Sequence, residues 1–471
     1  MKLNKNIIYG VLLLLLLGDI GYSFVQHLSI PLDGDMAAGI IPAKDVQHVL
    51  NDPLGISVIT KNEVYPNPNR FFAHYSFYQY FKHVPLILQH YVTPINSIYL
   101  ACAIAKIAIQ LLILVLLAMY ITGSNKLFSK QIVLACVLIS PLFQTNGYQP
   151  YMGIIDQSIT YTFFYALPCA LLLLMYLPFF NTMYHQQKFS NAIILKLFLV
   201  VLTFVVTLNG PLLPGIILVI TTLVILNGIH KISKTQLFFF VLLSLLSVYS
   251  LYIGLNNSIF VNEEVVPIPE RYYRLPLGLY YVITQKIGYP ILLLMLVINT
   301  YIIAKFYKTD EGKKLLNIFK WIGLFSLLYI LLLPLGGYKS YRPNILRYDT
   351  IMPVTLALIF MYGSGTYYLI NNLNGNNKKW YVAIVIIFSI LFTFADAPEF
   401  NKNNCERNAL HQLAQAKDTV VVLNNNCEIL SWTKIHDPNA SQQNAQLLTY
   451  WHVTQYNKRY YQKQPTTLAS P

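Results

Sequence analysis

Apolar runs long enough to cross a bilayer recur from residue 7 to residue 395, and this constrains the fold more than any single motif. Residues 7–25, IIYGVLLLLLLGDIGYSFV, open the series. Lys2 and Lys5 precede the leucine run as they would in a signal peptide, but no small-residue cleavage pattern follows, so it reads as an uncleaved first span. Further spans are expected near 95–121, 131–145, 158–180, 192–208, 211–229, 236–254, 288–306, 317–335, 350–371 and 380–395, about eleven in all. The stretch LNGPLLPG, with Asn209, Gly210, Pro211 and Pro214, breaks one overlong apolar run into two helices. With 55% hydrophobic and 11% charged residues, the chain is a polytopic membrane protein.

Lysines mark alternate connections: Lys2 and Lys5, Lys126 and Lys130, Lys188, Lys231 and Lys234, Lys305 to Lys320, and Lys378 with Lys379. The positive-inside rule makes those connections and the N-terminus cytoplasmic, in an inner or plasma membrane. The other set, residues 26–94, 146–157, 255–287, 337–349 and the tail from 396, then faces outward, the C-terminus included. The net charge of +14 is largely this topological lysine and calls for no nucleic-acid partner. The outward arginines run against the rule and need another reason.

The domain organisation follows. Residues 1–395 form one membrane domain, whose first outer loop, 26–94, is aromatic and too polar to cross, which predicts amphipathic helices at the membrane surface. DVQHVL, from Asp45, looks like the start of one of them. Residues 396–471 lose the apolar runs, and CERNALHQLAQAKDTVVVLNNNCEIL predicts a helix, a short strand TVVVL and a turn, in a tail too short for a core of its own. Cys102, Cys136 and Cys169 sit in apolar spans, whereas Cys405 and Cys427 lie in the tail, where an oxidising compartment would allow a disulfide.

Four polar groups gather on the outward side. Asp33 and Asp35, in LDGDMAAG, follow the first span, and each could instead be a cap or a turn residue. Asp156 opens a span, as a helix N-cap or as a site residue. Lys339, Arg342 and Arg347, interleaved with Tyr338, Tyr341 and Tyr348, make an anion site, or anchor the interface. Arg271 and Arg274 flank two tyrosines in PIPERYYRLPLG with the same two readings. Asp19 and Lys106 lie inside spans, where a mutual salt bridge or a functional role is expected. His83 and His90, seven apart, share a helical face near His74, but a metal site needs a third ligand and a pocket.

A carboxylate beside an outward phosphate clamp fits sugar transfer from a lipid phosphate. The carboxylate deprotonates the acceptor hydroxyl while arginines stabilise the departing phosphate. The acidic first loop, MGIIDQSITYTFF and RPNILRYDTIMP together resemble the GT-C class of integral membrane glycosyltransferases, the group of the aminoarabinose transferase and the protein mannosyltransferases. The resemblance implies a GT-C-like bundle with surface helices in the first loop, which with the spans and tail read above makes an all-α polytopic protein of about eleven transmembrane helices and a small α/β C-terminal tail. It also implies a polyprenyl-phosphate-linked sugar as donor, with membrane lipids around it and a lipid, glycan or protein as acceptor. Asp33 or Asp35 would be the base, Asp156 part of the catalytic set, and Lys339, Tyr341, Arg342, Arg347, Arg271 and Arg274 the donor-phosphate ligands. The pair here is D-G-D rather than adjacent acids, which leaves open which aspartate acts. No cofactor is required, although the D-x-D pair could hold a divalent metal. The competing readings are a polysaccharide polymerase or O-antigen-ligase-like enzyme, which places its functional loop late, and a transporter or flippase of lipid-linked glycans, which carries charges deep in the bundle.

Overall fold

The computed structural model describes residues 5–143, 153–228, 232–260, 266–306, 309–336, 338, 343–395, 398 and 400–463. The membrane part is all-α. Helix α1 (Lys5–Leu28) leads into a long loop that folds as α2 (Met36–Ile40), α3 (Lys44–Asn51), α4 (Ile56–Thr60) and α5 (Phe71–Leu88). Then follow α6 (Pro94–Thr122), α7 (Lys130–Ile139), α8 (Ile159–Tyr161), which continues through a π-helical turn at Thr162–Ala166 into α9 (Leu167–Met183), α10 (Ile193–Thr207), α11 (Leu212–Gly228) and α12 (Lys234–Leu255). Helices α13 (Ile268–Thr284), α14 (Gly288–Phe306), α15 (Asp310–Leu332), α16 (Tyr348–Asn372) and α17 (Gly375–Ala395) complete it.

Every expected span coincides with a helix. Among the described residues eight helices are long and apolar enough to cross a membrane, and Lys130–Phe143, Ile193–Thr207 and Leu212–Gly228 are shorter apolar ones. Lipid-facing surfaces are evident on α1 and α10, where Leu14 is 70% and Ile194 79% exposed. The span expected at 317–335 begins earlier, because the Thr309 hydroxyl accepts from Gly312 N and Asp310 and Glu311 occupy the first turn, where carboxylates favour the helix dipole. The predicted break at LNGPLLPG separates α10 from α11. Within 255–287, read as a plain outward connection, the chain forms α13, an amphipathic helix with Tyr273, Tyr280 and Tyr281 exposed.

The lysine-bearing connections meet at one end. Lys130 Nζ donates to Asn6 Oδ1 at 2.9 Å, Gln187 Nε2 to the Gly123 carbonyl at 2.6 Å, and the Lys314 ammonium lies 4.8 Å from the Tyr184 ring. At the opposite end of α1 sits the tail, with α18 (Asn404–Gln415), β1 (Val420–Leu423), α19 (Gln442–Tyr450) and β2 (Arg459–Gln462). The two strands pair in parallel with Val420 opposite Arg459, and Cys405 and Cys427 are disulfide-bonded.

The tail shares a core with the first loop. Met36 and Ile40 of α2, Phe77 and Phe81 of α5, and Leu410, Leu448 and Trp451 of the tail bury into one apolar cluster with the start of α6. Polar anchors surround it. Glu406 accepts from Leu32 N, Tyr99 Oη and Leu430 N at 2.8, 2.8 and 3.0 Å, and Trp451 Nε1 donates to the Phe81 carbonyl. Burial pushes the Glu406 carboxyl up to about 7 against the pull of its donors.

Candidate active site

The two first-loop aspartates, two residues apart, have opposite surroundings. Asp33 is buried, and its carboxylate accepts four hydrogen bonds. Ser158 Oγ and Thr160 N reach Oδ2 at 2.8 and 2.9 Å, and Thr160 Oγ1 and Asp35 N reach Oδ1 at 2.8 and 3.0 Å. Four donors fill the lone-pair sites of a carboxylate. Two of those donors come from the first turn of α8, where orphan N–H groups and the helix dipole favour an anion.

Asp35 is half-buried. Its Oδ1 accepts from Trp432 Nε1 at 3.0 Å, and its Oδ2 takes no hydrogen bond among the described residues. Burial raises its carboxyl above the usual range, and the neighbouring Asp33 adds to this, while the Trp432 N–H and Arg347 pull it back. Between the two, a Cβ on Gly34 would meet Trp432 N at 2.5 Å. The glycine of D-G-D is therefore where the tail backbone lies on the loop.

Asp156 is buried, and its Oδ1 accepts from Ser158 N at 2.6 Å, while the helix cap proper is Ser158, whose hydroxyl accepts from Tyr161 N. Burial pushes the Asp156 carboxyl up. Lys106, buried in α6, donates to the Gln157 carbonyl and lies among Asp33, Asp156 and Cys102; among the described residues no ion pair joins it to Asp19. This places the Lys106 amine close to two buried carboxylates.

Across from these, Arg347 precedes α16, and its Nε and a terminal nitrogen both donate to Asp349 Oδ2. The Asp349 carboxylate raises the Arg347 guanidinium despite its burial. The guanidinium carbon lies 4.8 Å from the Tyr161 ring centroid, and Tyr161 in turn stacks on Trp432 at 5.7 Å and 24°. Arg347, Tyr161, Trp432 and Asp35 thus form one connected chain of contacts. A second guanidinium, Arg70, lies 5.2 Å from Phe164 and 5.9 Å from Tyr165, and Arg347 is 6.0 Å from the same Tyr165 ring. Phe164 and Tyr165 stand on the π-helical turn, a distortion frequent at functional positions. Gly210 makes room for Arg70, since a Cβ there would meet Arg70 Nε at 3.3 Å.

The other expected phosphate ligands are placed differently. Arg271 donates to the Val266 and Pro334 carbonyls, and Arg274 pairs with Glu270 at 2.7 Å and lies 5.7 Å from the Tyr338 ring. Both tie α13 to the segment before α16. Lys339, Tyr341 and Arg342 lie outside the described residues. His74 is buried against Phe164 and held down to about 3 by burial and by Arg70, which keeps it neutral. Among the described residues no three His, Cys, Asp or Glu side chains gather as metal ligands.

Sequence reasoning missed three residues of this cluster. Arg70 carried a usable signal, being an arginine in the first long loop, a connection read from its sequence as outward. Asp349, two residues beyond Arg347, could have been read as its partner. Trp432 had no local signal at all.

The site and fold together define a multi-pass all-α membrane protein with a buried carboxylate network and two stacked guanidiniums at one end. No family model and no curated protein matches the chain. Among solved structures it is similar to the oligosaccharyltransferase of Archaeoglobus fulgidus in complex with Zn and sulfate, at 13% identity and a TM-score of 0.36, over 86% of this chain and 56% of that one. The chain spans about half the length of that protein, and at such a score the likeness carries no assignment.

Proposed function

We propose that the chain is a GT-C-type glycosyltransferase that moves a sugar from a polyprenyl-phosphate carrier to an acceptor hydroxyl on the outer membrane face, with Asp35 as general base. The observation that carries the reading is the difference between the aspartates: Asp33 has its lone pairs filled, whereas Asp35 keeps an oxygen open at the mouth of the site. Asp33 is then the pin that joins the first loop to α8. A divalent cation shared by the pair would have to displace donors from Asp33, so metal between them is disfavoured.

In the reaction the acceptor O–H gives its proton to Asp35, its oxygen forms a bond to the anomeric carbon, and the carbon–phosphate-oxygen bond breaks with the pair leaving on phosphate. Arg347, oriented by Asp349, and Arg70, which meets no carboxylate among the described residues, supply the positive charge for that phosphate. Asp156 and Lys106 shape the field under the base. The Cys405–Cys427 disulfide and the lysines at the other end support an outward tail and a cytoplasmic N-terminus. Buried carboxylates gathered at one end, rather than along the bundle, favour transfer at the membrane face over transport.

The test is Asp35→Asn and Asp33→Asn protein in nanodiscs supplied with polyprenyl-phosphate hexoses. Loss of transfer in the Asp35 variant with its fold intact supports the assignment. Transfer at the parent rate would sink it.

A further inference from the structure

The tail contributes a surface as well as a hydrogen bond. Trp432 is 51% exposed although one face of its indole is covered by Tyr161, so a broad aromatic face is left open beside Asp35. That ring is held from three directions. Its N–H is fixed on Asp35 Oδ1, its inner face rests on Tyr161 with Arg347 beyond, and its backbone is pressed onto Gly34. Behind it, Glu406 of the tail accepts from Leu32 N of the loop and from Tyr99 Oη of α6, and the disulfide joins two segments of the tail.

We propose that the open face of Trp432 is a shelf for a pyranose ring of the acceptor, so that the acceptor is a carbohydrate. This rests on the transferase reading above. A pyranose presents an apolar C–H face and a rim of hydroxyls, each of which both donates and accepts. A rigid aromatic face with a carboxylate at its edge matches both: the C–H face lies on the indole, and a rim hydroxyl points at Asp35 Oδ2. That hydroxyl is then the one placed to lose its proton.

The test is saturation-transfer NMR on the full chain in nanodiscs, without donor, against a panel of methyl hexopyranosides. The parent and Trp432→Phe, which keeps an aromatic face, should saturate the ring protons of at least one pyranoside. Trp432→Ala should lower that signal about fivefold or more, the order expected of one lost aromatic contact. If the alanine variant loses its fold by thermal melt, Trp432→Leu, which keeps bulk without the π face, takes its place with the same expected loss. An undiminished signal in the variant without the ring, or no saturation of any pyranoside by the parent, overturns the proposal. Binding is read apart from transfer: pyranoside binding by protein whose Asp35→Asn variant still transfers would remove the base assignment and leave the shelf, and the converse result would do the opposite.

Discussion

The two ends of the membrane bundle hold charge in opposite ways. At the lysine end the cations are exposed and weakly tied, as in the Lys313–Asp310 pair, whose side chains are 68% and 102% exposed. Such pairs contribute little to stability. At the other end Asp33, Asp156, Asp349 and Glu406 are all buried and hydrogen-bonded, Asp33 and Glu406 by donors from distant parts of the chain and Asp156 and Asp349 by donors one or two residues away. Buried charge is expensive unless it is satisfied, and the proposed site lies at that end.

The contrast can be broken most decisively at Asp35. Asp35→Asn should lower the transfer rate by about 10²–10⁴-fold, the usual contribution of a general base, with the melting temperature unchanged. Lys313→Ala, at the other end, should leave the rate within about twofold. Equal effects at the two ends would erase the distinction.

Next in size are the guanidiniums. Arg70→Ala and Arg347→Ala should each weaken donor binding about 10- to 100-fold, the range of one lost charge-assisted hydrogen bond, as measured by titration with the polyprenyl-phosphate sugar. Arg274→Ala, whose guanidinium is taken by Glu270, should leave donor affinity near the parent value and test whether stacking on the site's tyrosines, rather than an outward position, marks a phosphate ligand.

Asp33→Asn sharpens the comparison within the motif. The amide cannot accept all four donors, so a hydroxyl or N–H at the start of α8 is left unsatisfied, and stability should fall by about 1–3 kcal/mol in thermal denaturation. Asp35→Asn should show no such fall.

The smallest effect is on pH dependence. A base works ionised, so transfer is lost as pH falls through the Asp35 pKa, and burial puts that limb above the ordinary carboxylate range. Trp432→Phe removes the N–H that lowers it, leaving Asp33 to raise it and Arg347 to oppose. The acid limb of the rate profile should move upward in the Trp432→Phe variant, and an unmoved or lowered limb would count against Asp35 as the base.

Much of the fold was legible because its causes are local. Apolar run length marked the spans, LNGPLLPG marked the break between α10 and α11, and the aromatic loop marked the surface helices α3 and α5. The tail's helix and first strand were legible too, but β2 was not, since RYYQ becomes a strand only by pairing with β1. Of the candidate site, arginines in the connections without lysine clusters could be picked out. Their partners could not, because Arg271 and Arg274 on one hand and Arg347 on the other look alike until their neighbours are known.

The sequence alone determined a polytopic helical protein, its alternation of lysine-bearing and lysine-free connections, and the concentration of aspartates and arginines on one side. Those properties follow from hydropathy and charge, which act residue by residue. Only the tertiary structure decided between Asp33 and Asp35. Thr160 fills the first from 127 residues away, and Trp432 steers the second from 397 away. A carboxylate's role depends on how many donors reach it, and that is a property of the packed chain.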